Sequence, residues 1–508
     1  MDYFNSDKFK ARVEHLLAKH HIPGMAVAIT HNDKVASRAF GHAKLDPPVE
    51  FTTDTLFDIA SASKSMTAAS VALLVEDEKY PEVKYDGIMS EMLPGDFVMA
   101  SDEYTKNVTL DDVLGHRTGL PRHDLSYLGV NAGDKVDLAQ SVTRNIRNLP
   151  TFAPLREKYQ YCNIMYTAAA YLVENKSGLT FSDYLENNFF KPLNMTSSSL
   201  QPSRARAKGF EDRLARGHQW DKKTEKMTSI GMVEVPEADG AGSIITSVND
   251  YIKWVRAMMN QEGPVTEQVY EGIMRPRTIA STEMDKLPPY TSPSLYCAGL
   301  ERSWYRGHLR VDHGGAVTGY STKQFFLPGH KFGGVVISNS GSTDGADDVI
   351  VDELIDELLQ VPESELPDWE AYEGSFVDED DNADSDQVEV IKKALPEGKE
   401  EPEPLPRDMQ SYVGCYWNKG YHDLVVEVKD DKLYVDASDR SFGFTGYLGH
   451  ITGGTKFYFR IAESEAWGGA DMATFAAEFK MDGDKVVALG VRLEDSLPDD
   501  ALIWFDRQ

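Results

Sequence analysis

Apolar residues fall three or four apart in the first helix-length stretch. Phe9, Val13, Leu16 and Leu17 share one face, which predicts an amphipathic helix over residues 6–20. The period then shortens to two. Residues 25–30 and 34–40 are β-like runs on either side of Asn32-Asp33, a pattern that predicts an antiparallel hairpin. Residues 110–230 mix helices and loops, and the clearest helix lies at about 164–176, where Ala168, Ala169, Ala170, Leu172 and Val173 follow one another. Strand character returns from Gly299. Residues 311–313 run into a glycine pair, and residues 323–327 and 332–338 flank the turn at Pro328-Gly329. A helix over about 345–360, with Val349, Leu354 and Leu358 on its apolar side, closes this part. Strands at both ends of a helical middle predict an α+β fold: one antiparallel sheet built from both ends and flanked by helices, beside a helical subdomain.

The pattern changes again beyond residue 360. Residues 361–405 carry roughly 16 acidic residues against about three basic ones, with several prolines, and read as a solvated acidic linker. Short β-like runs follow at 412–417, 424–428, 432–435, 455–459, 473–479 and 486–491, with turns at Asp430-Asp431 and Asp482-Gly483-Asp484. That spacing predicts a small all-β barrel or sandwich. The expected domains are therefore 1–360, a linker at 361–405, and 406–508. The last module reads either as a stabilising unit or as a contributor to substrate binding.

At 508 residues the chain is long enough for more than one core. Its formal charge of −30 disfavours nucleic acid and anionic membranes as partners, because both would repel it. Three scattered cysteines give neither a disulfide framework nor a zinc motif, so no metal or other cofactor is expected. No secretory pattern and no long apolar run is visible, which points to a cytoplasmic protein. The implied partner is a small molecule or short peptide, with room for a homo-oligomer.

Candidate chemistry gathers in three stretches. Ser61 and Lys64 stand three apart near an expected helix start, so the lysine can reach the serine hydroxyl and take its proton. Tyr161 and Asn163 flank Cys162 just before the helix at 164. A phenol beside a lysine ammonium is stabilised as phenolate and can share the serine proton, while the amide can hold Lys64 or a substrate carbonyl. Cys162 itself reads as a packing residue. His313-Gly314-Gly315-Ala316 ends a strand. Glycines there let a substrate lie against the backbone, and a backbone N–H, paired with that of Ser61, would form an oxyanion hole. His313 is placed to donate to a leaving group or to orient Tyr161.

These three stretches, in this order, resemble the serine β-lactamase and penicillin-binding-protein superfamily. The best match is its class C-like branch, which includes D-aminopeptidases, family VIII carboxylesterases and the mammalian mitochondrial β-lactamase-like protein. The segments 114–120 and 239–250 resemble further markers of that family, and the likeness covers roughly residues 5–360. The C-terminal module looks like the lipocalin-type barrels appended to some peptidase relatives. The resemblance implies a serine hydrolase acting on an ester or amide through an acyl-enzyme on Ser61. Lys64 and Tyr161 would move the proton, and the backbone at Ser61 and Ala316 would hold the oxyanion. Family members with β-lactamase activity usually carry lysine where this chain has His313, so the resemblance favours the esterase and aminopeptidase members. Transfer to an amine or alcohol, or a silent binding or assembly role, are the other outcomes within such a fold.

Overall fold

Strand β1 (Gly24–His31) is buried at every position but its last, as a strand with a core on both faces must be. The computed structural model describes residues 1–129, 138–281, 284–341, 343, 345–372, 383–494, 496–498 and 501–508. Helix α1 (Asp7–Lys19) starts at Ser6, whose hydroxyl accepts from Phe9 N at 3.2 Å. Strand β1 pairs with β2 (Lys34–Leu45), and β2 with the short edge strand β3 (Pro48–Glu50). Helices α2 (Lys64–Glu76), α3 (Asn163–Ser177) and α4 (Val248–Asn260) follow in the middle of the chain. The return half of the sheet comprises β4 (Thr278–Ile279), β5 (Leu295–Tyr296), β6 (Glu301–Tyr305), β7 (His308–Val317), β8 (Tyr320–Leu327) and β9 (Phe332–Ser338). The spatial order is β3-β2-β1-β9-β8-β7-β6-β5-β4.

The sheet is thus assembled from both ends of the sequence, as the apolar pattern predicts. Its central seam pairs Met25 with Ser338 and His31 with Phe332, antiparallel. Successive side chains leave opposite faces. Met25, Val27 and Ile29 pack with Phe9, Val13 and Leu16 of α1 and with Val349 and Leu354 of α5 (Ala346–Leu359). Ala26 and Ala28 face the other way, into the core shared with Met66 of α2 and Trp254 of α4. Small residues on that face let α4 lie close to β1 and β9.

Residues 361–405 differ from the expected solvated linker where they are described. Trp369 is buried and its Nε1 donates to Asp356 Oδ2 at 2.8 Å, while Glu370 pairs with Arg12 and Lys19. A helix over Ala383–Ala394 follows, and Arg460 Nη1 donates to Gln387 Oε1 at 3.2 Å. Acidic composition marks the stretch as polar; partners on the far sides of α1 and α5 give part of it a place.

Eight antiparallel strands close the C-terminal barrel: β10 (Gly414–Asn418), β11 (His422–Lys429), β12 (Lys432–Ala437), β13 (Phe444–Thr452), β14 (Lys456–Glu463), β15 (Asp471–Asp482), β16 (Lys485–Val491) and β17 (Ile503–Arg507). Tyr416 pairs with Arg507 to complete the ring. Asp430 and Asp431 both adopt left-handed backbone (φ 51° and 56°), the geometry of a tight hairpin turn. No helix among the described residues is long and apolar enough to cross a membrane.

Candidate active site

Ser61 sits in a 3₁₀ turn, Ala60–Ser63, and Lys64 opens α2 directly behind it. The expected helix therefore begins one turn tighter than read from the sequence. The consequence is favourable, because residues three apart eclipse in a 3₁₀ turn. Several groups fix the turn. Ala60 N donates to Asp58 Oδ1 at 2.7 Å, Ile244 N donates to Ser63 Oγ at 3.2 Å, and Tyr251 Oη donates to Ala62 O at 3.1 Å.

Lys64 is fully buried and has three partners. Its Nζ lies 2.9 Å from Ser61 Oγ, 2.8 Å from Asn163 Oδ1 and 2.7 Å from Ala241 O. Ala241 belongs to the glycine-rich segment marked in the sequence. Burial, then the charge of Arg122, holds the Lys64 pKa well below its usual value. The orientation of the Asn163 amide is fixed from behind. Its Nδ2 donates to both oxygens of Asp124 at 3.1 Å, and a carboxylate only accepts, so Oδ1 must face Lys64.

Tyr161 completes the cluster. Its ring centroid lies 4.9 Å from Lys64 Nζ, and the Ser61 hydroxyl stands on the phenol side, where it favours the phenolate slightly. Burial raises the Tyr161 pKa above that of a free phenol, so the group is held as neutral phenol rather than the phenolate expected from sequence. His116 grips the chain on both sides of it. Gln160 N donates to His116 O at 2.7 Å, Cys162 N donates to His116 Nδ1 at 3.1 Å, and the His116 and Tyr161 rings are 4.3 Å apart. Cys162 is buried, as expected of a packing residue.

His313 stands behind this cluster. Its Nδ1 meets Gly314 O at 2.5 Å and its Nε2 meets Tyr296 Oη at 3.2 Å. A carbonyl only accepts, so Nδ1 carries the proton and Nε2 accepts from Tyr296. Tyr296 in turn accepts from His116 Nε2 at 3.2 Å. Burial, then Lys64, lowers the His313 pKa to about 4, and burial lowers that of His116 as well. Both imidazoles are neutral links in a chain His116–Tyr296–His313. The residue that holds Tyr161 is therefore His116, while both nitrogens of His313 are engaged elsewhere. Its neighbour Gly315 touches the nucleophile turn: a Cβ there would lie 2.2 Å from Ile59 O and 3.1 Å from Ser61 N. Gly314 has no such neighbour, a Cβ there meeting only Thr322 O at 3.8 Å.

The sequence motifs thus converge, and five residues join them without having been assigned a role from sequence: Arg122, Asp124, His116, Ala241 and Tyr296. His116 and Ala241 lie inside marked segments. The others carry no local signature.

The family model described as Beta-lactamase matches residues 9–357, and a domain of unknown function (DUF3471) matches residues 398–507. The chain is 31% identical over 508 residues to the protein named Unguisins hydrolase ungD' of Aspergillus campestris (strain IBT 28561), spanning 98% of this chain and 91% of that protein. It is 30% identical over 452 residues to Unguisins hydrolase ungD of Aspergillus violaceofuscus (strain CBS 115571), spanning 85% and 79%. In structure it resembles the octameric penicillin-binding protein homologue from Pyrococcus abyssi, with a TM-score of 0.61 at 18% identity, covering 99% of this chain and all of that one. It also resembles the D-amino acid amidase from Ochrobactrum anthropi SV3, with a TM-score of 0.54 at 20% identity, covering 70% and 98%. At these identities the two structures share its fold.

Proposed function

We propose that this chain, which belongs to the beta-lactamase family, is a serine hydrolase that opens an amide or ester bond through an acyl-enzyme on Ser61. The observation that carries the reading is the set of three partners around Lys64 Nζ. Asn163 Oδ1 and Ala241 O only accept, so two N–H bonds of the amine are committed to them. Once Lys64 is neutral, its lone pair points at the Ser61 hydroxyl. Its lowered pKa favours that state.

Ser61 Oγ attacks the substrate carbonyl as its proton passes to Lys64 Nζ. The new C–O bond puts the carbonyl electrons on oxygen. Backbone N–H groups of Ser61 and Ala316, brought together by the contact at Gly315, are the proposed donors to that oxyanion, each worth roughly 3 kcal/mol. Gly314 and Gly315 leave room for the substrate beside β7. Tyr161, a neutral phenol beside Lys64, donates its proton to the departing amine or alcohol and regains one from the Lys64 ammonium. Water then releases the acyl group by the reverse sequence. His313, neutral and engaged by Tyr296 and Gly314, orders the back of this site and offers no cation to a substrate carboxylate.

The relative named Unguisins hydrolase ungD' aligns with 98% of this chain, so unguisins are the first substrates to assay, beside chromogenic esters and amino acid anilides. A fluorophosphonate probe is expected to label Ser61, and Ser61→Ala to lose labelling and at least about 1,000-fold in turnover. A Ser61→Ala protein with full hydrolytic activity would rule the scheme out.

A further inference from the structure

Arg122, His123 and Asp124 follow one another around a sharp bend in which His123 takes left-handed backbone (φ 47°). The outer two side chains face the catalytic cluster. The Arg122 guanidinium lies 5.4 Å from the Tyr161 ring centroid, and its Nε donates to Asp124 Oδ2 at 2.9 Å. Asp124 is also the acceptor that turns the Asn163 amide toward Lys64.

The middle side chain points away from the cluster and is held largely by the barrel. His123 Nε2 meets Pro150 O at 2.9 Å and must carry the proton, because that carbonyl only accepts. His123 Nδ1 therefore accepts from Tyr421 Oη at 2.5 Å. The backbone N–H of His123 donates to Glu494 Oε2 at 2.8 Å. Tyr421 lies between β10 and β11, and Glu494 follows β16. The contact continues along the segment: Arg440 Nη1 donates to Leu125 O at 3.3 Å, and Ser441 N donates to Tyr127 O at 3.1 Å. At Gly129 the two backbones are so close that a Cβ would lie 2.9 Å from the carbonyl carbon of Arg440.

We propose that the C-terminal barrel is a positioning part of the active site: by holding His123 it sets Arg122 and Asp124, and through them the Asn163 amide and the Lys64 amine. The proposal rests on the reading of Ser61 as nucleophile and Lys64 as base. It assigns the barrel no contact with substrate. Its effect is geometric, because an Asn163 amide free to turn would offer N–H to Lys64 in place of oxygen. It is also electrostatic, because Arg122 opposes the ammonium form of Lys64.

The test uses full-length Tyr421→Phe and Glu494→Met, two changes of similar shape that each remove one bond to His123. The readouts are the rate of fluorophosphonate labelling at Ser61 across pH, with Ser61→Ala as control, and hydrogen exchange of residues 122–129. Both variants are expected to fold and to label at Ser61 about 10- to 100-fold more slowly. Their acidic limb is expected at higher pH than in the wild type, because a displaced Arg122 no longer opposes Lys64 protonation. Exchange at 122–129 should be faster. Loss of thermal stability alone would leave that limb where it is. Wild-type labelling rate and limb in both variants would overturn the proposal. If Ser61→Ala labels like the wild type, or the wild type does not label, the nucleophile reading falls instead. The exchange then decides on the clamp, and unchanged protection at 122–129 in both variants overturns it.

Discussion

Two acceptors that cannot donate decide what Lys64 does. Asn163 Oδ1 and Ala241 O leave a single direction for the amine lone pair, and Ser61 Oγ occupies it. With His313 titrating at about 4 and Lys64 held well below its usual value, the proposed scheme assigns the acidic limb of kcat/KM to Lys64. Activity is expected to rise with pH through that limb, because the base forms as the proton leaves. Lys64→Arg, which cannot lose its proton in this range, is expected to abolish the limb together with activity, and a pH–rate profile of both proteins checks it. Tyr161→Phe keeps the Lys64–Ser61 pair but removes the phenolic proton, so turnover of substrates with poor leaving groups should fall by about 100- to 1,000-fold. An activated ester should lose much less, and comparing the two substrates measures the difference. Ser61, Lys64, Tyr161 and Asn163 were legible in the sequence because each sits in a short motif beside its neighbours. Asp124 and Tyr296 were not, since the bonds that tie them to Asn163 and His116 span 39 residues for Asp124–Asn163 and 180 for Tyr296–His116. A lone Asp or Tyr in a loop or short strand announces no such bond.

Strand β7 and the Ser61 turn meet at one residue without a side chain. Gly315→Ala would drive a Cβ into Ile59 O. The strand must then withdraw from the turn, at a cost of about 1–3 kcal/mol in stability. Activity should fall more than stability, because the withdrawal separates Ala316 from Ser61. Thermal unfolding and turnover measured on the same preparation give the comparison, with Gly314→Ala as the counterpart expected to keep its stability. The apolar pattern revealed α1, β1, β9 and α5 nearly to their ends, and β8 from Lys323 onward, since the helices bury one face and these strands are buried along almost their whole length. It missed β13, whose Gly446 and Gly449 interrupt the alternation. Both are needed there: a Cβ at Gly449 would fall 2.1 Å from the Tyr458 ring, and one at Gly446 2.6 Å from Arg460 O. It also missed β17, a short run ending in Asp506 and Arg507 whose place is set only by closure against β10.

Across the whole molecule the barrel meets the catalytic half on two sides of the site. One is the bend at His123; the other is Thr318, just past β7, whose hydroxyl donates to Glu463 Oε1 at 2.5 Å. The second oxygen of Glu463 is buried with no partner among the described residues, and burial raises its pKa to about 7 from the ordinary 4.5. Between those two values the folded protein binds more protons than the unfolded chain. Glu463 therefore costs stability progressively as pH rises from about 4.5 to 7, and the full penalty, up to about 3 kcal/mol, is present above 7. Glu463→Gln keeps an acceptor for Thr318 without the charge. It should melt higher than the wild type above pH 7, with the gap closing toward pH 4.5; unfolding curves at several pH values test this. None of this docking could be read from the sequence, where the barrel shows only as alternating strands behind an acidic stretch. Surfaces that meet across 145 to 371 residues leave no periodicity in either partner.

The seam between β1 and β9 has a consequence for synthesis. When β1 leaves the ribosome, β2 follows at once, but the strand that covers its other edge emerges about 300 residues later. Until then a seven-residue apolar ladder lies open on a nascent chain, the kind of edge that chaperones shield. The barrel, contiguous from β10 to β17, has no comparable wait. The catalytic half is thus the slower and more aggregation-exposed part of the newborn protein, and a ribosome stalled before Phe332 would release it with its sheet unclosed.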